Sequence, residues 1–215
     1  MTNKVREPFF TTRNIASLSF LAALTVLLQV LGNFINIGVA NINLSLVPIT
    51  IGALVFGPIG GALLGLLNGL IVLFSPSTMA VFWPLTPVGT VVTCLVKTTA
   101  AGMIAGLIFK PFRGSKKELL GAIIACIAVP VLNTGIFSVC YIAFFQALAA
   151  QNGSDNAMLF LIVSVIGINF IFELLANALL SQAIYTIYRY FKKNQAKHSL
   201  DVSHNEEIKE EDKEE

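Results

Sequence analysis

Apolar positions in this chain come in long unbroken runs, neither alternating as in a half-buried strand nor spaced as a stripe along one helical face, and short polar breaks separate them. Crossing a hydrocarbon core of about 30 Å takes roughly 20 such residues. By that ruler six helices are predicted, at approximately residues 14–31, 44–56, 58–74, 87–109, 119–148 and 158–191. The second is short for a span, and only Gly57 and Pro58, a helix stop followed by a helix start, divide it from the third. The expected fold is an all-α polytopic membrane protein with six transmembrane helices.

Composition sharpens the picture. Of 215 residues, 55% are hydrophobic and 12% charged, whereas about a quarter of an ordinary soluble domain is charged. The net charge of +2 conceals an asymmetry. Lys4, Arg6 and Arg13 precede the first helix; Lys110, Arg113, Lys116 and Lys117 fill the break between the fourth and fifth; Arg189, Lys192, Lys193 and Lys197 stand at and beyond the end of the sixth. With six spans, all three groups fall on one side, and basic residues mark that side as cytoplasmic. The opposite loops, residues 32–43, 75–86 and 149–157, hold no Lys or Arg. Both termini are therefore expected in the cytoplasm, with residues 1–13 as an N-terminal segment, 14–193 as the membrane domain and 194–215 as an acidic tail. The tail has no aromatic residues and nothing to bury, so disorder is the expectation. The first run stays as a helix, since it lacks an A-x-A-like cleavage site before Asn33.

Well inside the predicted helices, away from their ends, stand two charges, Lys97 and Glu173. A charge at mid-membrane depth is costly unless paired or solvated, so its default reading is functional. Lys97 lies ten residues into the fourth helix, roughly 15 Å below the outer surface at 1.5 Å per residue, and Glu173 reaches a similar depth. They read either as an interhelical packing pair or as the charged part of a solute site. Asn169, Glu173 and Asn177 recur at four-residue intervals on one face. Asn133 and Thr134 follow Pro130 in the fifth helix, where the missing N–H frees a carbonyl. Amides that donate and accept suit the hydroxyl and amide groups of a small metabolite. In the uncharged loops, Asn33, Asn36, Asn41 and Asn43 precede the second helix, and Phe82 and Trp83 stand either as interfacial anchors or as part of a lid. Gly57, Gly61, Gly65 and Gly69, with Gly102 and Gly106, read as close helix packing; Asn68 is read the same way.

No phosphate loop, H-E-x-x-H or G-x-S-x-G motif is present, and both histidines, His198 and His204, lie in the tail. Cys94, Cys126 and Cys140 have no metal or redox spacing. The chain is not expected to be an enzyme, to hold a cofactor or metal, or to bind nucleic acid; any ATP-driven step needs a separate ATPase.

The run from Asn43 to Gly65, Asn-Leu-Ser-Leu-Val-Pro-Ile-Thr-Ile-Gly-Ala-Leu-Val-Phe-Gly-Pro-Ile-Gly-Gly-Ala-Leu-Leu-Gly, resembles the helix two to three segment of substrate-binding S components of energy-coupling factor (ECF) vitamin transporters. Pro87-Val-Gly-Thr90 with Cys94-Leu-Val-Lys97, and Pro130-Val-Leu-Asn133-Thr-Gly135, are similar to that family too, and most similar to members assigned to pantothenate. The resemblance implies a solute-binding subunit in a bacterial plasma membrane that works with a transmembrane coupling subunit and two cytoplasmic ATPases, reorienting to carry its vitamin inward. It also implies docking through an A-x-x-x-A pattern on the first helix, which here reads Ser19-Phe-Leu-Ala-Ala23. On this reading Lys97, Asn133, Asn169, Glu173, Trp83, Phe82 and Asn43 form the solute site. The competing reading is a proton- or ion-coupled transporter that uses Lys97 and Glu173 without a partner.

Overall fold

A computed structural model describes residues 11–34, 36–37, 40–41 and 43–214, with the side chains of residues 13, 36–37, 40–41 and 195–214 left out of the description. The elements are α1 (Thr12–Gly32), a two-residue antiparallel ladder of β1 (Asn36–Ile37) with β2 (Ala40–Asn41), α2 (Leu46–Leu73), α3 (Pro76–Val81), α4 (Pro87–Phe109), α5 (Glu118–Phe144), α6 (Ala147–Gln151), α7 (Ala157–Phe160) and α8 (Gly167–Glu214). A 3-10 turn, Lys110–Phe112, follows α4, and a π-helical turn, Leu161–Ile166, joins α7 to α8. Residues 1–10, which hold Lys4, Arg6 and most of the expected N-terminal segment, lie outside the described residues.

Among the described residues, five stretches are long and apolar enough to cross a membrane: Asn14–Gly32, Leu46–Leu73, Pro87–Phe112, Glu118–Phe144 and Ala157–Asn194. The second and third expected helices are thus one element, α2, yet its backbone is broken at Gly57, where φ is 72° and ψ −160°. Only glycine adopts that conformation without strain, and Pro58 supplies no N–H to bridge it. The two halves of α2 fold back on each other. Ser45 Oγ lies 2.6 Å from Asn68 Oδ1, although 23 residues of straight helix would separate them by about 35 Å. A Cβ on Gly61 would sit 2.9 Å from Cβ of Ala53, and one on Gly60 would sit 2.8 Å from the Gly52 carbonyl.

The second half of α2 packs antiparallel on α4 along the glycine spacing. A Cβ on Gly61 would strike the backbone of Gly102, one on Gly65 that of Thr98, and one on Gly69 would lie 2.5 Å from the Cys94 carbonyl. Thr98 Oγ1 uses the approach to donate to the Gly65 carbonyl at 2.7 Å. In lipid no hydrophobic force draws helices together, so backbone proximity and interhelical hydrogen bonds carry the association. Leu46, Ile49, Leu54, Leu64, Phe109, Val129 and Ile184 fill the interior beside this seam. Phe20, Val88, Val139, Val163 and Leu179 are each at least 66% exposed, an apolar exterior that fits a lipid-facing surface.

Three boundaries depart from expectation. The fifth helix ends at Phe144, and α6 follows as a separate turn. The sixth opens with α7 and the π turn before α8 begins. Beyond residue 193, where disorder was expected, the backbone remains helical to Glu214. Glu and Lys are good helix formers, so a composition that cannot build a core still continues a helix already nucleated by the bundle.

Candidate functional site

A cavity sits where α1, α2, α4, α5 and the π turn with α8 meet, beneath α3. Its volume is about 80 Å³. Lys97 reaches it from α4, Asn133 and Thr134 from α5, and Asn169 and Glu173 from α8, with Asn43 entering from the loop before α2 and Phe82 from the end of α3. Six of the seven residues expected at a solute site therefore line one space. All but Lys97, which is half-buried, are buried.

Trp83 is the exception. Its indole turns away and donates from Nε1 to the Leu73 carbonyl at 3.1 Å, packing beside Val72 and Cys94. Phe82, its neighbour, points the other way and meets the Phe137 and Phe145 rings edge-on at 6.0 and 5.1 Å. The two stand side by side in the turn that follows α3 and point apart, so one aromatic serves the cavity and the other the α2–α4 seam.

Glu173 is held from two sides. Its Oε1 accepts from the backbone N–H of Asn43 at 2.9 Å, and the Asn133 side chain bonds to the same carboxyl. Lys97 and Glu173 share the cavity, but no nitrogen–oxygen contact within 4.0 Å joins them, and among the described residues no carboxylate stands within that distance of the Lys97 ammonium. Its neighbour is the ring of Phe137, 5.1 Å from Nζ to centroid. The packing-pair reading called for contact between the two charges; the geometry keeps them apart in one chamber.

Asn177, one turn beyond Glu173, leaves the cavity: its Nδ2 donates to the Glu173 carbonyl at 3.0 Å and its Oδ1 accepts from Thr50 at 3.2 Å. Asn68 likewise belongs to packing, fully buried beside Ser45. Ser45 Oγ lies within 3.2 Å of oxygens on Gln29, Asn43 and Asn68, yet a hydroxyl has one proton to give. With the amides of Asn43 and Asn68 turned so that Nδ2 faces Oγ, the hydroxyl accepts from both, and the two buried amide nitrogens otherwise lacking partners gain one. This polar knot ties the start of α2 to α1 directly below the cavity.

The sequence pattern did not single out Gln29, Ser75, Ser77, Thr78 and Phe137, which also line the space. Gln29 Nε2 donates to Asn33 Oδ1 at 3.1 Å, one helical turn on. Their i, i+4 spacing near the end of α1 was the available signal. Ser75 caps α3 through the Thr78 N–H, a local role that hides a second one.

Ser19 and Ala23, the expected docking positions, lie four residues apart on α1 and are exposed on the face that also carries Phe20 and Leu27. A second acid within the candidate spans, Glu118, lies one residue outside the predicted fifth helix but is the first residue of α5 and is buried. Its Oε1 accepts from Lys192 Nζ at 2.7 Å, the Tyr188 hydroxyl at 2.9 Å and the Gly114 N–H at 2.7 Å. These bonds bring the Lys110–Lys117 break and the Arg189–Lys193 stretch to the same end of the bundle.

A sequence profile of the family described as "ECF transporter, substrate-specific component" matches residues 13–198. No curated protein and no solved structure gives a significant match.

Proposed function

The chain belongs to the substrate-specific component family of ECF transporters, and from that premise we propose that it captures pantothenate at the outer face of a bacterial plasma membrane and delivers it inward by reorienting on a coupling subunit. Membership implies a multi-pass transport subunit rather than an enzyme, a vitamin-type substrate, and a partner module of coupling and ATPase subunits. Two cytoplasmic ATPases supply the energy, and the exposed Ser19 and Ala23 on α1 offer the coupling subunit a surface small enough for a helix to approach closely.

Six passes follow from counting the two halves of α2 separately, since Gly57 reverses the chain. An even number puts both termini on one side. The end carrying Lys110, Arg113, Lys116, Lys117, Arg189, Lys192 and Lys193 is then the cytoplasmic one, and the cavity opens toward the face without Lys or Arg.

The observation that carries the reading is the Lys97 ammonium, which faces the cavity with no carboxylate within 4.0 Å among the described residues. A solute carboxylate supplies its counter-charge there. Asn133, Asn169 and Asn43 meet the amide and hydroxyl groups, while Glu173, anchored by the Asn43 N–H, positions Asn133 or accepts a hydroxyl. Nanomolar capture requires about 12 kcal/mol, and one charge-assisted bond gives only about 1.5–3. Enclosure by α3, Phe82 and the loop before α2 makes up the difference by excluding water.

Binding of radiolabelled pantothenate to the purified chain alone, beside Lys97→Met and a panel of other vitamins, tests this. Tight binding lost in the variant supports it. Retention of a different vitamin removes pantothenate, and no binding across the panel removes the solute site.

A further inference from the structure

At the end of the bundle far from the cavity, a second and larger cleft of about 980 Å³ opens between the start of α5 and the last membrane turns of α8, lined by Glu118, Leu119, Tyr185, Arg189, Lys192 and Lys193 among others. Its one carboxylate is already committed. Glu118 takes the Lys192 ammonium on Oε1 at 2.7 Å together with the Tyr188 hydroxyl and the Gly114 N–H, and the Tyr185 hydroxyl reaches Oε2 at 3.4 Å. Lys192 is thereby neutralised within the fold. Arg189 and Lys193 are not: both are exposed, and among the described residues no carboxylate lies within 4.0 Å of either. Arg189 rests over the Tyr185 ring, 6.0 Å from its centroid. No acidic residue occurs between Glu173 and Asp201, so no helical neighbour one turn away balances these charges. The cleft thus carries two uncompensated cations in a wall already braced by an internal ion pair.

What surrounds the cleft selects its occupant. It lies at the ends of two candidate spans, Glu118–Phe144 and Ala157–Asn194. Toward the bilayer, its walls continue as the exposed apolar faces of α5 and α8, with Leu120 and Ile124 on one and Leu179 and Ile187 on the other. Tyr190 stands exposed at the rim, an amphipathic ring at headgroup level. A soluble anion would use the cations and leave the apolar walls idle, whereas an anionic lipid uses both.

We propose that this cleft binds the phosphate headgroup of an anionic phospholipid, held by Arg189 and Lys193, with the acyl chains along the outer faces of α5 and α8. Occupied in this way, it anchors that end of the molecule in its leaflet independently of solute capture at the far end.

The test is native mass spectrometry of the full chain titrated with dioleoyl phosphatidylglycerol or dioleoyl phosphatidylcholine. The expected result is tighter binding of phosphatidylglycerol, weakened about thirtyfold by Arg189→Gln with Lys193→Gln, the loss for two surface cations, with phosphatidylcholine binding unchanged. A second double variant, Lys110→Gln with Lys116→Gln, removes two exposed cations of the same end that do not line the cleft; it should keep the preference. Equal weakening by both pairs would mean a diffuse field and overturn the site, as would equal binding of the two lipids. Inorganic phosphate that displaces the lipid at comparable concentration would reassign the cleft to a free anion.

Discussion

The two ends of this bundle use the same ingredients, a glutamate and a lysine on different helices, and arrange them oppositely. At the basic end Glu118 and Lys192 meet at 2.7 Å, and tyrosine hydroxyls and a backbone N–H complete the carboxylate's shell. At the other end Glu173 is satisfied by Asn43 and Asn133, and Lys97 is left facing a chamber beside Phe137. In the first arrangement the two charges satisfy each other, so a ligand at that end has to be held by the neighbouring Arg189 and Lys193. The second separates its charges, so a bound anion completes what the fold does not. Intramembrane charges are therefore told apart by whether their partners are internal.

The frame that holds the two ends at fixed separation is the seam between α2 and α4, and breaking it should have the largest effect. Gly65→Leu puts a side chain into the Thr98 backbone; overpacking of a well-filled interface costs about 1–3 kcal/mol, and loss of the Thr98 hydrogen bond adds about 1 more. The expected outcome is a marked drop in folded yield and melting temperature by fluorescence-detected gel filtration. An unchanged melting profile would show that the seam is not under steric tension.

Lys97→Met should come next: about a hundredfold loss of pantothenate affinity, or about 2.7 kcal/mol, with melting temperature held or raised, because a half-buried ammonium without a carboxylate at hand gives the empty fold little. The contrast is Glu118→Gln, which should leave pantothenate binding alone and lower stability by about 1–2 kcal/mol, read by thermal unfolding, through loss of the charge-assisted bonds from Lys192 and Tyr188. Affinity following Glu118, or stability following Lys97, would erase the distinction between the two ends. The smallest effect belongs to Trp83→Phe, which removes one partly buried hydrogen bond to Leu73, worth about 1 kcal/mol, and should leave the solute off-rate unchanged. A faster off-rate in that variant would restore Trp83 to the lid.

Much of the site was legible because the bilayer is an unforgiving solvent. Lys97, Asn133, Asn169 and Glu173 stand out as polar residues in runs that otherwise exclude them, and all four line the cavity. Gln29, Ser75 and Thr78 were not legible in this way, since polar residues near helix ends have ordinary roles in capping and solvation. Glu118 was misplaced by one residue at a helix boundary, where sequence patterns are least sharp. Phe82 and Trp83 are adjacent and chemically alike, and no pattern distinguishes the ring that faces the cavity from the one that does not.

The sequence by itself determined that this is a helical membrane protein, where its long apolar segments lie, that Gly57 and Pro58 divide the second predicted helix from the third, and which polar groups are carried to mid-depth. Each follows from one-dimensional length and from the cost of polarity in hydrocarbon. Only the tertiary structure decided that α2 folds back at Gly57, that Lys97 and Glu173 face one chamber without touching, and that Glu118 finds its cation 74 residues away. Those outcomes depend on which helices lie side by side and at what rotation. Side-chain volume and interhelical hydrogen bonds set both through close packing, and neither is a property of any single segment.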